Sequence, residues 1–164
     1  MVARNLLRVV ASHLNYMHIE NKDFDEIVGE DLSGVTFVRD YIQLQFNLPL
    51  LLNSFTPILV RHRDKMARSG EELFANALIG QINKFVSRIN VTANVSVDII
   101  FEDGSELSIS LRPEDYVGPE AVNFYRRDHS MLVILTCRGG CRELAPPFTS
   151  KYTILVMIEG RKAV

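Results

Sequence analysis

Leu6, Leu7, Val10, Leu14 and Met17 recur at steps of one, three and four residues, the spacing that gathers apolar side chains on one face of a helix. The pattern predicts a helix over residues 3–19. Beyond the polar run Glu20-Asn-Lys-Asp23 the period shortens to two. Tyr41, Gln43 and Gln45 alternate with Ile42, Leu44 and Phe46, as expected of an antiparallel strand with one face in the core and one in water. Strands are predicted at 35–38, 41–46 and 50–55, the last with Pro49 at its start, where a missing N–H does least harm. The basic stretch 61–70 reads as a loop. Ser69 is placed to cap a short helix over 71–79, with Glu71 and Glu72 in its first turn, and Gly80 to end it. Alternation resumes at 81–91, 95–101 and 106–111, and further strands are predicted at 121–125, 131–136 and 152–158.

Turn residues punctuate these runs. Glu102-Asp103-Gly104-Ser105 predicts a tight hairpin, because Asp-Gly accepts the positive φ that such turns require. Leu107, Ile109 and Leu111 then fall on the buried face of its second strand. Arg126-Arg127-Asp128-His129 separates a second hairpin pair. A loose repeat is visible as well. Leu32-Ser-Gly34 and Leu78-Ile-Gly80 each precede β-branched and aromatic residues, a polar break, and an alternating strand ending in Phe46 or Phe101. The expectation is a single α+β domain over 1–164: an antiparallel sheet of two similar β-meanders, with an N-terminal helix and a short central one.

Several segments resemble a group of uncharacterised bacterial proteins. They are Phe37 to Phe46, Leu78-Ile-Gly80, Phe101 to Leu107, and Leu111-Arg-Pro-Glu-Asp-Tyr-Val-Gly-Pro-Glu-Ala121, spanning about residues 32–125. The resemblance implies a compact α+β domain. These are turn and strand residues, and they transfer structure rather than a mechanism.

Composition narrows the classes. The net charge of −2 gives no global attraction to nucleic acid or to an anionic membrane, and no apolar run approaches the roughly 20 residues of a membrane helix. A soluble cytoplasmic protein without a membrane partner is the expectation. Two cysteines, Cys137 and Cys141, are too few for a disulfide framework. They also lack the further ligands of a structural zinc site, so no metal and no cofactor is expected. His13 and His18 stand five apart and share no helix face. The acidic pairs Asp23 with Asp25 and Glu26, Glu71 with Glu72, and Glu114 with Asp115 fall in turns and helix starts, where carboxylates already have local uses. No nucleophile-elbow, phosphate-loop, dinucleotide or zinc-protease motif occurs, and no catalytic residue is assigned.

One stretch qualifies as a candidate binding site. Arg61, Arg63, Lys65 and Arg68 put four cations into eight residues, enough to contact phosphates. Asp64 interrupts them, and no aromatic residue is interleaved for base stacking. The leading functional reading is therefore a non-enzymatic binding or interaction protein that forms a homodimer through the uncharged strands 131–136 and 152–158. Second comes a small-molecule binder or enzyme with a pocket between sheet and helices. Nucleic-acid binding through 61–68 ranks third.

Overall fold

A computed structural model describes residues 19–137 and 152–158, the last seven and residues 136–137 by their backbone. The expected helix over 3–19 and Cys141 lie outside the described residues. A 3-10 helix, Asn21–Ile27, leads into β1 (Leu32–Phe37), β2 (Ile42–Phe46), β3 (Leu50–Ser54), β4 (Ile58–His62) and β5 (Lys65–Arg68). A short helix α1 (Phe74–Ile79) precedes β6 (Val86–Thr92), β7 (Ser96–Phe101) and β8 (Glu106–Ser110). After a 3-10 turn at Pro113–Asp115 come β9 (Glu120–Tyr125), β10 (Met131–Cys137) and β11 (Tyr152–Ile158).

These strands form two sheets, where the sequence suggested one. The six-stranded sheet has the order β1-β2-β3-β9-β10-β11, and the five-stranded sheet β5-β4-β8-β7-β6. Each contains a three-stranded meander from one half of the chain extended by a hairpin from the other half: β9-β10 adds to β3, and β4-β5 adds to β8. All pairings are antiparallel except β10 with β11, which is parallel.

The two halves meet at a junction with internal two-fold character. Leu32 N donates to Lys84 O at 3.0 Å, and its counterpart Val86 N donates to Glu30 O at 2.9 Å. Gly29 N donates to Val86 O, and Asn83 N donates to Leu32 O, both at 2.9 Å. Gly29 and Asn83 both adopt positive φ, 86° and 68°. A bulge follows at equivalent places, between Leu32 and Gly34 and between Val86 and Arg88. At each bulge a serine hydroxyl donates across the pair: Ser33 to Gln45 O and Ser87 to Ile100 O, both at 3.0 Å.

The core follows from the alternation. Leu44, Phe46, Leu50, Leu52, Phe124, Leu132 and Ile134 of the six-stranded sheet are buried, as are Ile58, Val60, Val97, Ile99, Phe101, Leu107 and Ile109 of the five-stranded one, and they belong to one apolar cluster. Phe24 and Ile27 enter it from the first 3-10 helix, with Phe24 stacked on Phe124 at 5.4 Å. Phe74 and Leu78 enter from α1.

The hairpin at Asp103-Gly104 forms as the sequence predicts. Residues 96–101 pair with 106–110, and Gly104 has φ 80°. Residues 61–70 are not the expected loop but include most of the β4-β5 hairpin, in which Val60 and Ala67 face the core. Charged outer-face residues hide that alternation. The helix begins at Phe74 rather than Glu71, because Ser69 does not cap it. Ser69 Oγ instead accepts from Ile58 N at 2.9 Å and donates to Ile58 O at 3.2 Å, tying the hairpin base. Gly80 does end the helix, with an ordinary φ of −63°. Residues 81–83 form turns and Phe85 makes an isolated bridge to Asp31, so the strand expected at 81–91 starts at Val86.

Candidate functional site

Side chains on the outer face of the five-stranded sheet surround a recess of about 190 Å³. The register places the central row: Asp98 of β7 opposite Ser108 of β8, Ser108 opposite Leu59 of β4, and Leu59 opposite Arg68 of β5. Ser96 and Ser110 form the next pair along β7 and β8. Arg112 and Asp115, from the chain leaving β8, line the recess from the loop side, and Arg61 stands at the other end. Small hydroxyl residues in mid-strand leave the floor open; long side chains rise around it.

Its polar groups hold one another. Ser108 Oγ donates to Asp98 Oδ1 at 2.6 Å. Ser110 Oγ donates to Asp115 Oδ2, and Arg68 Nη2 donates to Asp115 Oδ1 at 2.8 Å. Arg61 Nη1 donates to Glu106 Oε1 at 2.6 Å. Each of these two guanidiniums is thus fixed through one nitrogen, leaving other N–H donors of its five. Arg68 and Arg61 remain about half exposed, at 50% and 46%.

The basic stretch therefore divides. Arg61 and Arg68 share the recess, while Arg63 occupies the β4-β5 turn with φ 53° and Lys65 pairs with His62 at the opposite parity. The second basic pair is engaged elsewhere. Arg126 donates to Asp23 O at 3.0 Å, Arg127 N donates to Glu26 Oε2 at 3.0 Å, and the Arg127 guanidinium pairs with Glu30. These contacts pin the β9-β10 turn to the first 3-10 helix. Nothing in the sequence marked Ser96, Asp98, Ser108, Ser110 or Arg112 as site residues, and Asp115 stood out only as half of the acidic pair with Glu114. The available signal was a solvent face of serines where an exposed strand more often carries larger polar side chains.

A second polar cluster has the composition of a catalytic centre but not its chemistry. Lys84 Nζ donates to Ser105 Oγ and to Gln81 Oε1, both at 3.0 Å, and lies 2.6 Å from Asp103 Oδ2. Three ammonium protons meet three acceptors, so this lysine has no lone pair to act as a base. Ser105 is fully buried and donates its own proton to Asp103. His62 Nε2 stands 3.9 Å from the same carboxylate. Partial burial pushes the Asp103 carboxyl up, but hydrogen bonds from Lys84 and Ser105 outweigh it and hold the group well below the usual carboxylate range. This cluster locks the Asp103-Gly104 turn. Tyr116 is a further buried polar group: burial pushes its phenol up, and its hydroxyl has no hydrogen-bond partner among the described residues.

Among the described residues, no group of three or more His, Cys, Asp or Glu is placed to hold a metal ion, and no helix is long and apolar enough to cross a membrane. No protein-family model matches the chain, and no curated protein or solved structure is detectably similar to it.

Proposed function

We propose that this chain is a non-enzymatic binding protein, and that its working surface is the polar outer face of the five-stranded sheet. One comparison within the molecule carries the reading. Topologically equivalent rows cross the two sheets: Gln43-Asn53-Asn123-Val133 over β2-β3-β9-β10, and Asp98-Ser108-Leu59-Arg68 over β7-β8-β4-β5. In the first row Asn53, Asn123 and Val133 are buried. In the second, the corresponding positions surround an open recess whose charged groups are already oriented. Orienting groups before a ligand arrives lowers the ordering cost of binding.

The recess is smaller than the roughly 300–1,000 Å³ of sites that enclose drug-sized ligands. That favours a small polar molecule over a polymer. A nucleic-acid reading gains no support, since Arg61 and Arg68 are ion-paired and Arg63 and Lys65 lie outside the recess. Homodimer formation also belongs to the proposal. It attaches to β11, the end strand of the six-stranded sheet, because β10 is flanked on both sides.

A protein-observed NMR screen of small polar compounds tests the binding reading. Amide shifts are expected to cluster at 57–61, 95–98 and 108–115. Ser108→Tyr, which fills the floor, should abolish them while the remaining spectrum stays folded. Shifts confined to other surfaces, and unaffected by Ser108→Tyr, would contradict it.

A further inference from the structure

We infer that the recess takes a small hydroxylated oxyanion, a molecule carrying a carboxylate or phosphate together with at least one hydroxyl; this rests on the binding reading above. The inference comes from counting donors and acceptors. Five ionic side chains line the recess: Arg61, Arg68, Arg112, Asp98 and Asp115. Both oxygens of Asp115 are already engaged, one by Ser110 and the other by Arg68. Asp98 uses one oxygen, Oδ1, for Ser108.

The guanidiniums are in the opposite position. Each presents five N–H donors in a planar fork. Arg61 and Arg68 each spend one nitrogen on a carboxylate that also fixes the fork. Arg112 is exposed, and its backbone N–H anchors its position by donating to Ser110 Oγ at 3.2 Å. Donors therefore exceed acceptors on the side lined by Arg68 and Arg112, which suits an acceptor-only group. Planar guanidiniums are matched by carboxylate and phosphate oxygens, which accept two parallel hydrogen bonds.

Asp98 sets the second requirement. A bare anion would leave its Oδ2 facing like charge. A ligand hydroxyl donating to Oδ2 removes that conflict and adds a charge-assisted hydrogen bond. Leu59 and Pro57 supply an apolar floor on which a short carbon skeleton can rest. Oxyanion, hydroxyl and short skeleton together define the ligand class.

Three hydroxylated probes test the oxyanion requirement: glycerol 3-phosphate, glycerate and glycerol. Each is titrated into the ¹⁵N-labelled full chain. Both anionic probes are expected to shift amides at 96–98 and 108–112 with Kd near about 1 mM, an ordinary range for a fragment-sized ligand. Glycerol at the same concentrations should leave them unmoved. Arg112→Gln, which removes one guanidinium, should weaken both anions roughly tenfold, the loss of about 1.4 kcal/mol. A response to one anion alone assigns the ligand to phosphates or to carboxylates. Equal response to glycerol, or anion affinity unchanged in Arg112→Gln, would overturn the oxyanion assignment and leave the binding reading standing. Silence of the recess to all three overturns the inference as well. The binding reading falls with it only if the wider screen also leaves the recess silent.

Discussion

Asp103 shows how much one side chain can decide. Its Oδ1 accepts from the backbone N–H of Ser105 at 2.9 Å, closing the turn, while Oδ2 holds Lys84 at 2.6 Å and faces His62. The carboxyl is held well below its ordinary range in the folded protein. A depressed folded pKa gives stability that is present above the unfolded value, about 3.9 for aspartate. As pH falls past that value the unfolded chain takes up the proton first, and the contribution is lost on the way down to the folded pKa. Asp103→Asn keeps a side-chain oxygen that can accept from the Ser105 N–H and removes the charge. We expect it to cost about 1 kcal/mol at neutral pH, since the partly exposed pair is screened by solvent. It should also flatten the stability profile below about pH 4. Denaturant melts of both proteins between pH 3 and 7 test this; an acid limb unchanged in Asp103→Asn would show that other carboxylates carry it. From the sequence, Asp-Gly announced the turn but not Lys84, because that contact joins segments distant along the chain.

At the scale of elements, local signals located most strands and the end of α1, but missed the start of α1 and took a hairpin for a loop. Residues 41–46 and 106–111 alternate cleanly and each contains an observed strand, as does the apolar run that opens 50–55. The β4-β5 hairpin escaped notice because Arg61, Arg63, Lys65 and Arg68 dominate its composition. Ile58, Val60 and Ala67 face inward there, and only Ala67 falls within the basic stretch itself, too little to establish a period. The candidate site was half legible for the same reason. Arg61 and Arg68 stood out as charges, but Asp98, Ser108 and Ser110, which line the recess with them, come from strands brought beside β4 only by the fold. The Leu-x-Gly motif was misleading. Leu78 and Gly80 belong to α1 and its end, while the junction bonds set Leu32-Ser33 against Val86-Ser87. That junction makes a prediction of its own. A Cβ on Gly29 would meet nothing within 4 Å, so Gly29→Ala isolates the effect of φ 86°. It should destabilise by about 1 kcal/mol, whereas Asn83→Gly should be neutral or slightly stabilising. Chemical denaturation reads both. Equal costs for the two changes would mean that backbone conformation does not govern the junction.

The whole molecule depends on what local pattern cannot encode. Alternation states that a strand has one buried face, but not which strand lies beside it. Exchanged hairpins are therefore invisible in a linear reading, and one sheet was the simpler expectation. The same exchange creates the proposed binding surface, since Arg61 and Arg68 share a face with Ser108 and Asp98 only because β4 pairs with β8. Assembly belongs to this scale too. With β11 at the end of the six-stranded sheet, we expect a dimer mass by light scattering at micromolar concentration. A monomer mass, with Ile158→Asp folded and equally soluble, would rule out association through that strand.

We propose the outer face of the five-stranded sheet as the place where this protein meets its ligand. A crystal structure with the strongest-binding small polar compound bound tests it most directly. The compound is expected over Leu59 and Ser108, within hydrogen-bonding distance of Arg68 and Asp98. A compound seated on the six-stranded sheet, or in the Lys84-Asp103 cluster with the recess empty, would contradict it.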